Sequence, residues 1–244
     1  MLRLSTQTYQ LQEHLGDRWR RVQEHPHIAA VHFCQALEHA RGLPRVSNLP
    51  VVLIMPEYQA NIMEYVERFH PSYSQRTQWT ANALQYLHDN EIVHGNLYPG
   101  NILIGDEGNA YVADAMIFTT IIRHLVPDHV ASNLRFPNSL PFKTARAIHE
   151  KRMRWADPTL HDDLFAFAVT CWSVYAGKDP FPMYGGTIET VVRVGNGKHK
   201  ELQKVPGMSD GLWRLLRTIL AQDILPAKWP SLKELLSQLE ANDK

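Results

Sequence analysis

The chain has 244 residues with 25 basic and 25 acidic side chains, 44% apolar and 20% charged, which is the profile of a globular domain and excludes a largely disordered one. A net charge of zero gives no overall field to attract nucleic acid or an anionic bilayer, and no basic patch stands out, so neither a nucleic acid nor a membrane is expected as a partner. The longest apolar run, Val51-Val52-Leu53-Ile54-Met55, is far short of a membrane span, the first residues carry no apolar core of signal-peptide length, and Cys34 and Cys171 lack C-x-x-C spacing. A cytoplasmic protein with reduced thiols is the expectation.

Gln10 to Glu24 carries Leu11, Leu15, Trp19 and Val22 at helical steps and stops at His25-Pro26, which predicts an opening amphipathic helix. Two strand-like segments follow, Ile28 to Phe33 and Val51 to Met55, separated by a polar bend from Arg41 to Asn48. Trp79, Ala83, Leu84 and Leu87 recur at helical spacing between Ser72 and Asn90. Ile102-Leu103-Ile104 and Ala110-Tyr111-Val112 flank the turn Gly105-Asp106-Glu107-Gly108 as a hairpin. After Asp114, Pro127, Pro137 and Pro141 with Asn133, Asn138 and Ser139 interrupt any period for about forty residues, so a long irregular segment is expected. Asp162 to Tyr175 is apolar almost all round, as a buried helix should be, while Thr187 to Val194, Ser209 to Ala221 and Ser231 to Leu239 are amphipathic. A small strand-containing N-terminal part and a large helical C-terminal part result.

The run Tyr86-Leu87-His88-Asp89-Asn90-Glu91-Ile92-Val93-His94-Gly95-Asn96-Leu97-Tyr98-Pro99-Gly100-Asn101-Ile102-Leu103-Ile104 resembles the catalytic segment of a eukaryotic protein kinase, Y-L-H…I-V-H-R-D-L-K-P-x-N-I-L-I, with the flavour of the tyrosine-kinase-like serine/threonine group of fungi. Asn101 lies five residues after Asn96, as the family's metal-binding asparagine follows its base, and Asp114 lies eighteen after it, where the D-F-G aspartate belongs. Other motifs fall in order: His25-Pro26-His27-Ile28 resembles H-P-N-I, Asn61 to Val66 the start of the D helix, and Arg154 to Leu160 resembles R-W-x-A-P-E-L. Asp163 to Ala168 resembles D-V-Y-S-F-G, Gly177 to Phe181 follows it, and Pro226 to Ser231 resembles P-x-x-R-P-S. The resemblance implies an α+β, protein-kinase-like fold with a reduced N-terminal lobe over 1–58 and a helical C-terminal lobe over 59–244.

Activity does not follow from fold, and the residues that phosphoryl transfer needs are largely replaced. Asn96 stands at the base position, where an amide has no basic lone pair near neutral pH, so it is expected to be inert. Tyr98 replaces the loop lysine, Gly95 the arginine that reads an activation-loop phosphate, and Asp114-Ala115-Met116 the D-F-G triplet. The first lysine is Lys143 and the first glycine Gly16, so neither the nucleotide-binding lysine nor a glycine-rich loop precedes the first helix. Gly16, with Glu13 the nearest substitute, falls where the lysine's glutamate partner belongs. Asn101 and Asp114 keep metal-ligand types but are expected to be vestigial, as is Leu103 at the adenine floor. The resemblance makes His94 and Asp163 a structural pair, the aspartate holding the catalytic-loop backbone. The A-P-E glutamate and the R-P-S arginine, partners in a buried ion pair, are both lost, as Thr159 and Trp229.

These substitutions imply a truncated, catalytically inactive kinase domain, a pseudokinase, acting as a binding or regulatory module. No cofactor is expected. The alternatives are a weak serine/threonine kinase, which would take ATP and Mg²⁺, or a gene-model fragment of one. The exposed strands of the N-terminal part are expected to be covered by a protein partner or by a second copy. The thirteen histidines, with His25-x-His27 and the pair His124 and His129, are too loosely spaced for a zinc site, and Trp79, Trp172 and Trp213 fit a core.

Overall fold

The computed structural model describes residues 22, 24–31, 33–36, 51–69, 73–115, 140–150, 158–180, 202–221 and 226–241. Outside them lie most of the expected opening helix, the bend at 41–48, Glu13, Gly16, Met116, the proline-interrupted stretch to Ser139, Arg154 to Asp157, Phe181 and the expected helix at Thr187 to Val194. The described elements form an α+β architecture: two small antiparallel sheets and a helical body built around one buried helix.

Strand β1 (Phe33–Ala36) pairs antiparallel with β2 (Val51–Ile54), Phe33 opposite Ile54 and Ala36 opposite Val51. The first strand was expected at Ile28 to Phe33. Residues 28 and 29 are instead bound elsewhere: Ile28 forms a parallel bridge with Val112, Ala29 N donates to Val112 O at 2.8 Å, and Val112 N donates to His27 O at 2.8 Å. Backbone groups spent on a different sheet edge cannot join β1, and the hairpin therefore starts later in the chain.

The second sheet has the order β3 (Ala60–Asn61), β4 (Ile102–Ile104), β5 (Ala110–Val112), all antiparallel. Ile102, Ile104, Ala110 and Val112 are buried while Leu103 and Tyr111 are half-buried, the period-2 alternation of a sheet with one face on the core. The turn between β4 and β5 closes through Gly108 N to Gly105 O at 2.9 Å, with Gly108 at φ 77°.

Helix α1 (Ile62–Phe69) starts at Asn61, whose Oδ1 accepts from Met63 N and Glu64 N while Glu64 Oε2 accepts from Asn61 N. Helix α2 (Tyr73–Asp89) buries Thr77, Thr80, Ala81, Leu84 and Leu87, one stripe at helical spacing. It ends in a Schellman-type turn, Ile92 N donating to Leu87 O at 2.9 Å and Glu91 N to His88 O at 3.0 Å, with Glu91 at φ 57°.

The stretch after Asp114 that was expected to stay irregular for about forty residues contains helix α3 (Phe142–His149). Pro141, read as a breaker, sits just before it, and its carbonyl accepts from Ala145 N at 2.9 Å. A proline stops a helix from its interior but tolerates a helix start, where its missing N–H would have had no partner.

Helix α4 (Leu160–Ala176) is the centre of the body, buried from Asp162 to Tyr175. It opens with a capping box between Thr159 and Asp162 and closes at Gly177 in the left-handed conformation, φ 64°. Helices α5 (Asp210–Leu220) and α6 (Leu232–Ala241) bury Leu212, Leu216, Ile219, Leu220, Leu232, Leu235 and Leu239; α5 packs on α4, and α6 packs on α2 and α5. Among the described residues no helix is long and apolar enough to cross a membrane. The free thiol of Cys171 is buried in α4, and burial pushes its pKa far up.

The segment 25–29 is fastened by rings as well as by backbone. His27 stacks on Trp79 at 5.4 Å and 17°, His25 lies 4.7 Å from the Tyr86 ring, His27 N donates to His25 Nδ1 at 3.2 Å, and His27 Nδ1 lies 3.2 Å from Ala110 O. Burial, and for His25 also the neighbouring His27, holds both imidazoles below the usual histidine range, so both are neutral at pH 7. The unfolded chain takes up these protons near pH 6.5, about the free histidine value, and the folded chain only below it. Stability should therefore be full above that pH and fall as the pH drops through the lowered folded values. Urea melts at pH 7 and pH 5 should show this loss, and His27→Phe, which keeps the stack, should make it smaller; an unchanged loss would exclude His27 from it.

Candidate functional site

The site is a loop between α2 and β4, and one side chain of α4 holds it. Asp163, on the first turn of α4 and 1% exposed, accepts from His94 N at 2.7 Å through Oδ2 and from Gly95 N at 2.8 Å through Oδ1. His88 Nε2, from the last turn of α2, lies 3.1 Å from the same Oδ2. A desolvated carboxylate with three donors is compensated, and it fixes two successive loop amides at once. Gly95 can take its φ of 78° without a Cβ penalty, which the arginine of the resembling motif could not.

His94 is fully buried and extends the brace. Its Nε2–H donates to Ala113 O at 2.9 Å, and its Nδ1 accepts from Asn96 N at 3.2 Å, so one tautomer serves both bonds. Burial pushes its pKa down and outweighs the opposing effects of the Asp163 charge and the Ala113 bond. The imidazole thus ties the loop to the residue just before Asp114.

Asn96, Asn101 and Asp114 converge beyond it. Asn96 Nδ2 donates to Asp114 Oδ2 at 3.3 Å; Asn101 Nδ2 donates to Asn96 O at 2.9 Å and approaches Asp114 Oδ2 at 3.5 Å. Asn101 ends a single 3₁₀ turn that begins at Pro99, and Asp114 has φ 64°, a left-handed conformation that aspartate tolerates better than most side chains. Two amide N–H groups thus face one carboxylate oxygen. This donor set fits a divalent cation poorly, since only Asp114 brings charge, and among the described residues no group of three or more His, Cys, Asp or Glu side chains is spaced to hold a metal. Burial and the Asp114 charge raise the Tyr98 phenol pKa, so a neutral ring stands where the resembling motif has a cation. That ring packs over Gly100, where a Cβ would collide with it. Leu103 sits mid-sheet, opposite Asn61 on β3 and Tyr111 on β5.

Two partners escaped the sequence reading. His88 lay within a quoted motif but was given no role, and a contact between a helix end and an aspartate 75 residues later has no local signature. The Ala113 carbonyl that anchors His94 is a backbone acceptor, which every residue has. Where the A-P-E glutamate was missed, Thr159 caps α4, and Thr144 Oγ1 donates to Asp162 Oδ1 at 3.2 Å. Trp229 has its ring 6.3 Å from His161 and 6.5 Å from Phe165.

The sequence profile of a family described as protein tyrosine and serine/threonine kinase matches residues 49–239. The chain is also similar to human receptor-interacting serine/threonine-protein kinase 1, 22% identical over 155 residues, which cover 56% of this chain and 23% of that protein. The chain thus spans about a quarter of the length of that relative.

Asp163→Ala should cost about 3 kcal/mol in denaturant titrations, because it leaves two buried amides without an acceptor. Asp114→Ala should cost about 1 kcal/mol, mostly the strain of alanine at positive φ. Equal small losses for the two variants would show that the loop does not depend on Asp163.

Proposed function

On the premise that this chain belongs to the protein tyrosine and serine/threonine kinase family, we propose that it is a catalytically inactive kinase domain, a pseudokinase, working as a binding or regulatory module. The observation that carries the reading is Asn96. At the position of the base it offers an amide, its N–H directed at Asp114, and an amide can neither accept the substrate hydroxyl's proton nor carry the charge that orients it. Tyr98 supports the same reading, because a neutral phenol cannot neutralise a transferring phosphoryl group as an ammonium does. Asn101 and Asp114 are then vestigial as metal ligands and Leu103 as an adenine floor, and the present work of Asn101 and Asp114 is to brace the loop. No cofactor is needed for that work, and a cytoplasmic setting belongs to the same proposal.

A second reading is favoured by the similarity to a human protein named as a serine/threonine-protein kinase: a weak kinase of that type, drawing on ATP and Mg²⁺. Asn96→Asp discriminates between them. It would set a second carboxylate beside Asp114 Oδ2, where like charges raise a pKa instead of creating a free base. Purified Asn96→Asp and unaltered protein should both incorporate no phosphate from ATP and Mg²⁺ above buffer controls. Millimolar Mg²⁺-ATP should leave the melting temperature unchanged, since a ligand of the native state would raise it. Transfer by either protein would establish the second reading.

The partner in this proposal is a protein or a second copy of the chain, docked on the β1–β2 pair. Among the described residues no third strand adds to that pair, and an open strand edge is a template for another chain. Light scattering should show association that Val52→Lys, a charge placed within β2, disperses. A monomer with protected amides from Val51 to Ile54 would refute the docking surface.

A further inference from the structure

The turn that carries residues 25–29 onto the edge of β5 is closed by a side chain as well as by backbone. Ile28 N donates to His25 O at 3.1 Å, and inside that turn His27 N donates to His25 Nδ1 at 3.2 Å. Pro26, at the second position, has its φ set by the ring and brings no N–H. The His25 nitrogen does here what a side-chain oxygen does in an Asx turn. Ile28 and Ala29, both buried, are delivered in this way to Val112.

The two histidines of the turn are not equivalent. His27 Nδ1 faces the Ala110 carbonyl, which only accepts, so Nδ1 carries the hydrogen and Nε2 is left to take a proton; the charged ring would keep its bond. His25 Nδ1 faces an N–H, which only donates, so the neutral ring has its hydrogen on Nε2 and a further proton can go to Nδ1 alone. There it turns an acceptor into a donor and sets two N–H groups against each other.

We propose that proton uptake at His25 Nδ1 opens this turn and releases residues 25–29 from the β5 edge, a pH-operated latch between the N-terminal residues and the helical body. The groups around the rings favour that outcome. His25 meets the Tyr86 ring of α2 and His27 of its own segment, and His27 meets Trp79 of α2 and Tyr111 of β5, which in turn meets Tyr58. On α2, His88 is bonded to Asp163 and the exposed Asp89 accepts from Gln85 Nε2; Glu24 beside His25 and Asp106 and Glu107 of the β4–β5 turn are exposed. Burial first and the His27 charge second act against a proton on His25, and among the described residues no carboxylate acts in its support. Once released, His25 returns to the ordinary range near about 6.5, so the open segment takes up the proton first and falling pH moves the population toward it. The Tyr86 ring tolerates a charge on its face, so the proton breaks the bond inside the turn and leaves the ring contact available. The latch rests on the turn alone and holds whether or not the chain transfers phosphate.

Amide hydrogen exchange of the full chain, followed by NMR between pH 7 and pH 5 and corrected for the intrinsic pH dependence of exchange, tests the latch. Protection of the Ala29 and Val112 N–H groups should fall about tenfold, the weight of one hydrogen bond, along the curve on which the His25 ring titrates. The amides of α4 should keep theirs, because the opening is local. His25→Asn, whose Oδ1 accepts from the N–H two residues on and takes no proton, should stay protected at both pH values. If that variant fails to close the turn at pH 7, the unaltered protein still decides, since nitrogen shifts must show its His25 ring as the Nε2–H tautomer at pH 7. The latch is refuted by the other tautomer, by full protection of both amides at pH 5, by loss in step with the α4 amides or on a curve other than that of His25, or by an equal loss between pH 7 and pH 5 in His25→Asn.

Discussion

The Asp163 carboxylate is the point on which the other contacts depend. It is carried by the most buried helix of the body, and it takes two consecutive amides of the loop and the imidazole of His88. Those bonds orient His94, whose ring reaches Ala113 and so sets where β5 delivers Asp114. A hydrophobic core places helices without regard to direction along their axes, whereas a carboxylate with three donors has one register. The Thr159 cap, with Asp162 also taking Thr144, fixes the helix start from which Asp163 projects, so the accuracy of the loop traces back to the first turn of α4.

Bracing and chemistry are separable in this loop. Asp163, His94 and Ala113 act through backbone and a neutral imidazole, and none of them requires a substrate. Asn96, Asn101 and Asp114 converge beyond the brace, and there the amides leave a single negative charge. A second carboxylate at residue 96 would add repulsion in the absence of a cation; the asparagine removes that repulsion at nearly constant shape. On the proposed inactive reading, stability and catalysis draw in opposite directions at this residue, and asparagine favours stability.

Long periodic helices and motif spacings were the readable part of the sequence. Helix α2 runs Tyr73–Asp89 against an expectation of Ser72 to Asn90, and the hairpin of β4 and β5 falls on the runs that predicted it, because a stripe of apolar residues and a glycine turn are local signals. Motif spacing likewise brought Asn96, Asn101 and Asp114 into one group. Signals that depend on distant partners did not read through. Ile28 looks like the start of a strand wherever it goes, and only the free edge of β5, more than eighty residues on, decides that it docks there. Pro141 carries the same local information at a helix start as at a break, and His88 gains its role from α4.

The departures at Thr159 and Trp229 follow the same physics as the loop. An ion pair buried between these positions would have needed two desolvated charges, and losing either one alone would strand the other. Neither residue here carries a charge that needs a partner: Thr159 closes the capping box that starts α4, and Trp229 lays an aromatic surface near His161 and Phe165 on the same helix. The first turn of α4 is thus held by a cap at its backbone and by rings at its flank. A helix start so held keeps Asp163 in register, and with it the two loop amides that its carboxylate accepts from.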